Sequence, residues 1–312
     1  MKQFLLFLLC YCSALVATSQ SLYVNTFGNP KDQPLIFLHG GPGYNSVAFE
    51  QTTAQALAKQ GFYVVVYDRR GEGRSVTLEA DFTWEQSIKD LQQLYRQLHL
   101  KKAILLGHSF GGMLATLYAE QYPKRVQGIV LMGAPLNMQT TFEHIRTRCT
   151  AIYEEKEDAV NLYYMSLLKD MDKRSMDYAS YCFAHAMQNG FYSPSTPSEE
   201  ATTLYQLFRT DPVLQQYAAQ MTKEAPSGFW KNEQYTTLDL HNNLTTVLQH
   251  QVPVLGLYGQ EDGLFSPQQV QQLEQLIGNK NLYYWANCSH NVFIDQQTLF
   301  FNTLTTWLTA YE

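Results

Sequence analysis

The stretch AILLGHSFGG, Ala103–Gly112, is the tightest constraint in this chain. A short apolar run of strand length ends at Gly107, a helical pattern starts at Gly111 and runs to Tyr122, and Ser109 stands at the junction. A strand that turns at once into a helix holds its corner residue in a strained conformation, and flanking glycines keep Cβ atoms out of the crowded turn. The serine hydroxyl then projects above the sheet. Phe110 sits where the helix begins, so its N–H is free to bond an oxyanion and the helix dipole adds positive potential there. As a bare pattern G-x-S-x-G occurs often by chance, and a tight turn alone would satisfy it. Its surroundings must decide whether Ser109 is a nucleophile.

Those surroundings alternate between short apolar runs and longer amphipathic ones, which predicts an α/β fold with a mostly parallel central sheet flanked by helices. Strands are expected at Pro34–His39, Phe62–Tyr67, Ala103–Gly107 and Val126–Met132, with helices over Val47–Gln60, Trp84–Leu98 and Gly111–Tyr122 between them. The pattern stops near residue 135 and resumes near 251 with strands at Val252–Gly259 and Asn281–Ala286 and helices over Pro267–Ile277 and Asp295–Tyr311. In between, apolar residues follow helical spacing, with breaks expected at SPSTPS (Ser193–Ser198) and EAPSG (Glu224–Gly228). The expected organisation is a core of residues 20–135 and 251–312 with a helical cap of residues 136–250 over the carboxyl edge of the sheet, where such folds bind ligands.

A serine hydroxyl is a weak nucleophile at neutral pH, so a base and an orienting acid must accompany it. In this kind of fold they follow in the order serine, acid, histidine, each after its own strand. After the strand that resumes the sheet, YGQEDGLFSP offers Asp262, with Glu261 beside it as a fallback; after the last strand, ANCSHNVF offers His290. Of the eight histidines His290 alone follows that acid, and the others fit loop-shaping, packing or surface roles. HGGPG, His39–Gly43, follows an early strand whose loop supplies the second oxyanion N–H, from Gly41 or alternatively Gly40. DRRGEGRS, Asp68–Ser75, follows the next strand, where Asp68 and the arginines would pair to fix a loop beneath the site.

Composition excludes other classes. Charged residues make up 16% of the chain against a usual share of about 25%, and the net charge is -6 with no basic run, so nucleic acid is not an expected partner. Lys2, the apolar run behind it and the small residues before Gln20 read as an export signal, residues 1–19, cleaved after Ser19. That run is shorter than the ~20 residues a spanning helix needs. The expected product is periplasmic or extracellular, with no stable membrane span. Cys149, Cys182 and Cys288 remain after cleavage; Cys149 and Cys182 lie in one segment and could pair, and Cys288 reads as a small buried hydrophobe. No spacing of cysteines or histidines suits a structural zinc, and neither metal nor cofactor is expected.

Taken together, HGGPG, D-x-R-G-x-G-x-S and G-x-S-x-G-G resemble the proline iminopeptidase branch of the α/β-hydrolase family (peptidase family S33). The resemblance implies the α/β-hydrolase fold and a serine peptidase that releases an N-terminal residue, often proline, from short peptides. By position it makes Ser109 the nucleophile, His290 the base, Asp262 its orienter, and the N–H groups of Gly41 and Phe110 the oxyanion hole. Two features depart from that branch. The elbow reads GHSFGG where iminopeptidases usually have G-G-S-W-G, a version shared with esterases and lactonases. In addition, the cap segment YCFAHAMQNGFY (Tyr181–Tyr192) lacks the tryptophans and glutamate of the W-x-x-W-E element that holds a substrate ammonium, leaving Glu199, Glu200, Glu224 and Glu233 as substitutes. The alternative expectation is an esterase or lactonase acting on a small neutral acyl substrate.

Overall fold

Residues 21–310 are described by the computed structural model, so the expected export signal lies outside the described residues. The apolar runs form β1 (Val24–Phe27), β2 (Gln33–Leu38), β3 (Phe62–Tyr67), β4 (Ala103–His108), β5 (Val126–Met132), β6 (Val254–Gly259) and β7 (Leu282–Trp285). They make one sheet in the order β1-β3-β2-β4-β5-β6-β7. Only the β1–β3 pairing is antiparallel. Strands β3, β4 and β6 are buried along their whole length, which is why they read as unbroken apolar runs rather than as alternation. The edge strand β1 has no such signal: its four residues are mostly half-buried. It is held from outside by Glu50, whose Oε1 accepts hydrogen bonds from Tyr23 Oη and Asn25 Nδ2, both at 2.8 Å.

Helices cover both faces. After β2, α1 (Val47–Phe49) and α2 (Gln55–Ala58) are joined by a π-helical stretch, Glu50–Ala54, where one continuous helix was expected. Helix α3 (Trp84–Gln97) precedes β4 and α4 (Phe110–Gln121) follows it. Between β5 and β6 come α5 (Met138–Glu155), α6 (Ala159–Asp170), α7 (Met176–Gln188), α8 (Glu199–Thr210), α9 (Pro212–Tyr217), α10 (Glu224–Glu233) and α11 (His241–Gln249). The expected break at EAPSG is instead the first half of α10; Pro226 lies in the first turn, where a proline costs no helical hydrogen bond. Helix α12 (Pro267–Ile277) opens with a capping box between Ser266 and Gln269. The last expected helix forms as α14 (Gln297–Thr309), and the short α13 (Val292–Asp295) precedes it, with Gln296 at φ -137° and ψ 56° between them.

One core lies on each side of the sheet. On one face Leu91, Tyr95, Met113 and Tyr118 pack with the helices that follow β5, including Phe142 and Tyr178. On the other, Phe37 stacks on Phe49 at 3.9 Å between ring centroids, and Phe293, Phe300 and Trp307 complete the layer. The helices between β5 and β6 reach the loops at the carboxyl ends of other strands: Thr222 N–H donates to Gly43 O after β2, and Phe191 O accepts Gly263 N–H after β6. Cys149, Cys182 and Cys288 are all buried free thiols. Among the described residues no helix is long and apolar enough to cross a membrane.

The chain turns from β4 into α4 with almost no room. A Cβ on Gly111 would stand 1.9 Å from Leu38 O, and one on Gly107 would stand 2.5 Å from Gly112 Cα. Backbone cannot move aside there as a flexible side chain would. Gly111→Ala is therefore expected to destabilise the protein by about 2–3 kcal/mol and to lower its thermal midpoint in calorimetry; an unchanged midpoint would mean that α4 and β2 separate more easily than this packing implies.

Candidate active site

Ser109 is the one residue between the end of β4 and the start of α4, and its backbone adopts φ 52° and ψ -122°. A non-glycine residue there is strained by about 1–3 kcal/mol. It is held in place by its neighbours: Ser109 N–H donates to Met132 O at 2.9 Å, and Gly112 N–H donates to Ser109 O at 2.9 Å. The half-buried Ser109 lines a cleft together with Gly41 and Phe110. Met113, Met138, Phe183, Tyr235, Leu264 and Phe265 supply most of the remaining wall. No charged side chain is among the lining residues.

His290 and Asp262 come from loops after β7 and β6, and both are buried. His290 Nδ1 lies 2.8 Å from Asp262 Oδ2, while Leu264 N–H donates to Asp262 Oδ1 at 3.0 Å. With its proton on Nδ1, the neutral ring keeps Nε2 as the basic atom. Gly133, at the end of β5, lets the pair approach the sheet, since a Cβ there would stand 3.1 Å from His290 Nδ1. Glu261 does not share this role. Its Oε2 accepts both the N–H and the hydroxyl of Ser195 at 2.6 Å, tying the loop before α8 to the residue beside Asp262.

The elbow histidine also belongs to this machinery. His108 Nε2 donates to the His290 carbonyl at 3.1 Å, and the two rings are 4.8 Å apart. Burial, and then the neighbouring His290, push the His108 imidazole down to about 3, so it is a neutral donor at any working pH. Sequence reading gave His108 only a loop-shaping role. A polar ring immediately before Ser109 was the available signal.

Beneath the cleft, DRRGEGRS holds HGGPG through a set of buried charges. Arg69 donates to His39 O at 2.5 Å and Gly40 O at 2.6 Å while its other edge pairs with Glu72 at 2.9 Å. Glu72 Oε2 in turn accepts Gly43 N–H at 2.7 Å. His39 Nε2 accepts Arg69 N–H and Nδ1 donates to Gly40 O. Burial first, and the adjacent Arg69 second, keep that ring well below its usual pKa. Asp68 pairs with Arg74 at 2.7 Å; burial is the largest single influence and raises its carboxyl, but Arg74, His39 and Ser46 together outweigh it and the group stays below its usual range. The expected pairing thus holds, with Glu72 as the partner of the arginine that touches the loop.

The four glutamates considered for an ammonium are not gathered at the cleft. Glu200 accepts the N–H and hydroxyl of Thr298 at the start of α14, and Glu199 and Glu224 are exposed. Glu233 Oε1 accepts Trp84 N–H at 2.8 Å, and the Trp84 ring stacks on Phe110 at 4.8 Å. The Glu233 bond is to the Trp84 backbone, and none of the four glutamates is among the residues lining the cleft.

A sequence profile of the alpha/beta hydrolase fold matches residues 33–153. A protein of Clostridioides difficile named proline iminopeptidase is 27% identical over 296 residues, covering 90% of this chain and 91% of that protein. A probable proline iminopeptidase of Leptolyngbya boryana is also 27% identical, and there the chain spans about half of the relative, 54%, with 51% of its own length. Among solved structures, one described in work on carboxylesterases of Nitrososphaera gargenis superposes with a TM-score of 0.61 at 20% identity, covering 93% of this chain and 94% of that one. At that identity the likeness concerns the fold alone. A strained serine at the end of a central parallel strand, in a chain similar over nine-tenths of its length to a protein named proline iminopeptidase, sits in an α/β-hydrolase fold.

Proposed function

We propose that the protein is a serine hydrolase of the iminopeptidase type, releasing an apolar N-terminal residue, often proline, from short peptides through an acyl-enzyme on Ser109. The observation that carries this reading is Ser109 at its strained elbow, facing an apolar cleft beside Gly41 and Phe110, with His290 bonded to Asp262. In the first half-reaction Ser109 Oγ attacks the carbonyl carbon while His290 Nε2 takes its proton and Asp262 stabilises the imidazolium. The N–H groups of Gly41 and Phe110 bind the tetrahedral oxyanion, and His290 then protonates the departing amine. Water, activated by the same histidine, hydrolyses the ester. Each oxyanion donor is worth about 2.7–4 kcal/mol in hydrolases of this kind.

The full-length relative named proline iminopeptidase supports the substrate class. A pyrrolidine ring suits an apolar wall, but its ammonium is costly to bury without a counter-charge. Glu233, bonded to the backbone N–H of Trp84, whose ring stacks on Phe110, is the acid we assign to it. A second reading, an esterase or lactonase for a small neutral acyl group, is favoured by the uncharged lining of the cleft. Export belongs to the proposal too: the purified secreted chain would begin at Gln20, and an intact Met1 on it would refute cleavage.

Two measurements test the chemistry. Ser109→Ala is expected to abolish turnover while leaving the circular dichroism spectrum and thermal midpoint intact; full activity would overturn the mechanism. Turnover of a proline anilide, a short-chain aryl ester and a lactone then decides the substrate. Glu233→Gln keeps an acceptor for Trp84 N–H, so under the peptidase reading it raises KM for the anilide by roughly tenfold or more and leaves ester hydrolysis unaltered. Ester or lactone cleavage with no anilide cleavage would select the second reading.

A further inference from the structure

The buried carboxylates of this protein follow a rule with one exception. Glu50 and Asp68 pair with Arg74, Glu72 with Arg69, Asp90 with Arg70, and Asp262 with His290. Asp295 is equally buried, at 0% exposure, yet among the described residues no lysine or arginine pairs with it. Its bonds come from neutral donors instead. Ser289 N–H donates to Oδ2 at 2.8 Å, and Tyr205 Oη donates to Oδ1 at 2.6 Å. Ser289 immediately precedes His290, and Tyr205 comes from α8. The titratable groups around the carboxyl are Tyr205 from α8, Cys288 and His290 from its own loop, and Asp262 from the loop after β6. His290 is the one member of that set that becomes a cation.

Burial raises the Asp295 carboxyl to about 6, against the pull of Tyr205, Ser289 and His290. An isolated buried carboxylate is unfavourable unless something repays it. An imidazolium formed next to it during turnover would do so. The same arm of the structure also touches the other half of the site: beyond α9, Thr222 N–H donates to Gly43 O at 2.8 Å, and Asn45 Nδ2 donates to Tyr217 O at 2.9 Å.

We infer that Asp295 is a second carboxylate serving His290, a positioning residue that fixes the histidine loop through Ser289 N–H and lends negative potential to the imidazolium. Tyr205 holds Asp295 in place. Docking of α8 is thereby a condition for catalytic geometry, and α8–α9 with the loop that follows braces both the base and the HGGPG loop. This inference rests on His290 acting as the base.

Steady-state kinetics of the whole protein test it, using whichever of the proline anilide and the aryl ester the wild type turns over. Tyr205→Phe keeps the ring and loses the hydroxyl. It should lower kcat between roughly ten- and a hundredfold, the scale of a small misplacement of a catalytic group, with KM little changed. Asp295→Asn keeps an acceptor for Ser289 N–H but removes the charge, so His290 holds its proton less tightly. The acid limb of its kcat/KM profile should move to lower pH by roughly one unit. A wild-type kcat in Tyr205→Phe, or an unmoved limb in Asp295→Asn, would overturn the inference. If Asp295→Asn does not fold, the kcat and KM of Tyr205→Phe decide alone. Failure of the hydrolase reading itself looks different: Ser109→Ala would then turn over substrate as the wild type does.

Discussion

At Gly111 the first turn of α4 lies so close to the end of β2 that a Cβ there would stand 1.9 Å from Leu38 O. That contact leaves the chain no gradual path from β4 into its helix, and the whole change of direction falls on Ser109, at φ 52°. The strain has a use. It lifts the hydroxyl off the sheet, sets Phe110 at a helix start, and brings both against Gly41 in one cleft. Elsewhere the core supplies the rigidity that keeps this arrangement from relaxing, since β4 is paired on both sides and fully buried.

A second requirement is electrostatic. The HGGPG loop exposes carbonyl groups inward, and two of them, those of His39 and Gly40, are satisfied by the fork of Arg69. Once buried, that guanidinium needs its own counter-charge, which Glu72 provides while also accepting Gly43 N–H. Removing one member of such a group leaves an uncompensated charge, at a cost of about 3–5 kcal/mol. The motif beneath the cleft therefore fixes the backbone of the HGGPG loop. Asp295 stands apart from this pattern because its hydrogen bonds come from Ser289 N–H and Tyr205 Oη and not from a permanent cation.

The cleft draws on two parts of the chain. Strand ends of the core carry Ser109, Asp262 and His290, whereas Met138, Phe183 and Tyr235 of the cleft wall come from the segment between β5 and β6. That segment also sends Ser195 to Glu261, Tyr205 to Asp295 and Thr222 to Gly43. That segment is thus bonded to the stretches that follow β6, β7 and β2. A change of substrate pocket is constrained by those bonds.

The sheet strands from β2 to β7 and the elbow turn were legible in the sequence, because these strands are continuous apolar runs and a strand-to-helix turn requires small flanking residues. Edge strand β1 was not, because VNTF lacks the apolar run that marks the equally short β7, LYYW, and neither was the helical start of α10, where proline and glycine mimic a break. Sequence spacing also could not assign roles to side chains that meet across long separations. Glu261 and Asp262 are neighbours in the chain, yet only the tertiary structure turns one to Ser195 and the other to His290, since the preference depends on which loop each carboxylate faces. His108 and Asp295 gained their places beside His290 in the same way: local sequence determined that these polar groups lie in apolar runs, and the fold alone decided which hydrogen bonds make their burial tolerable.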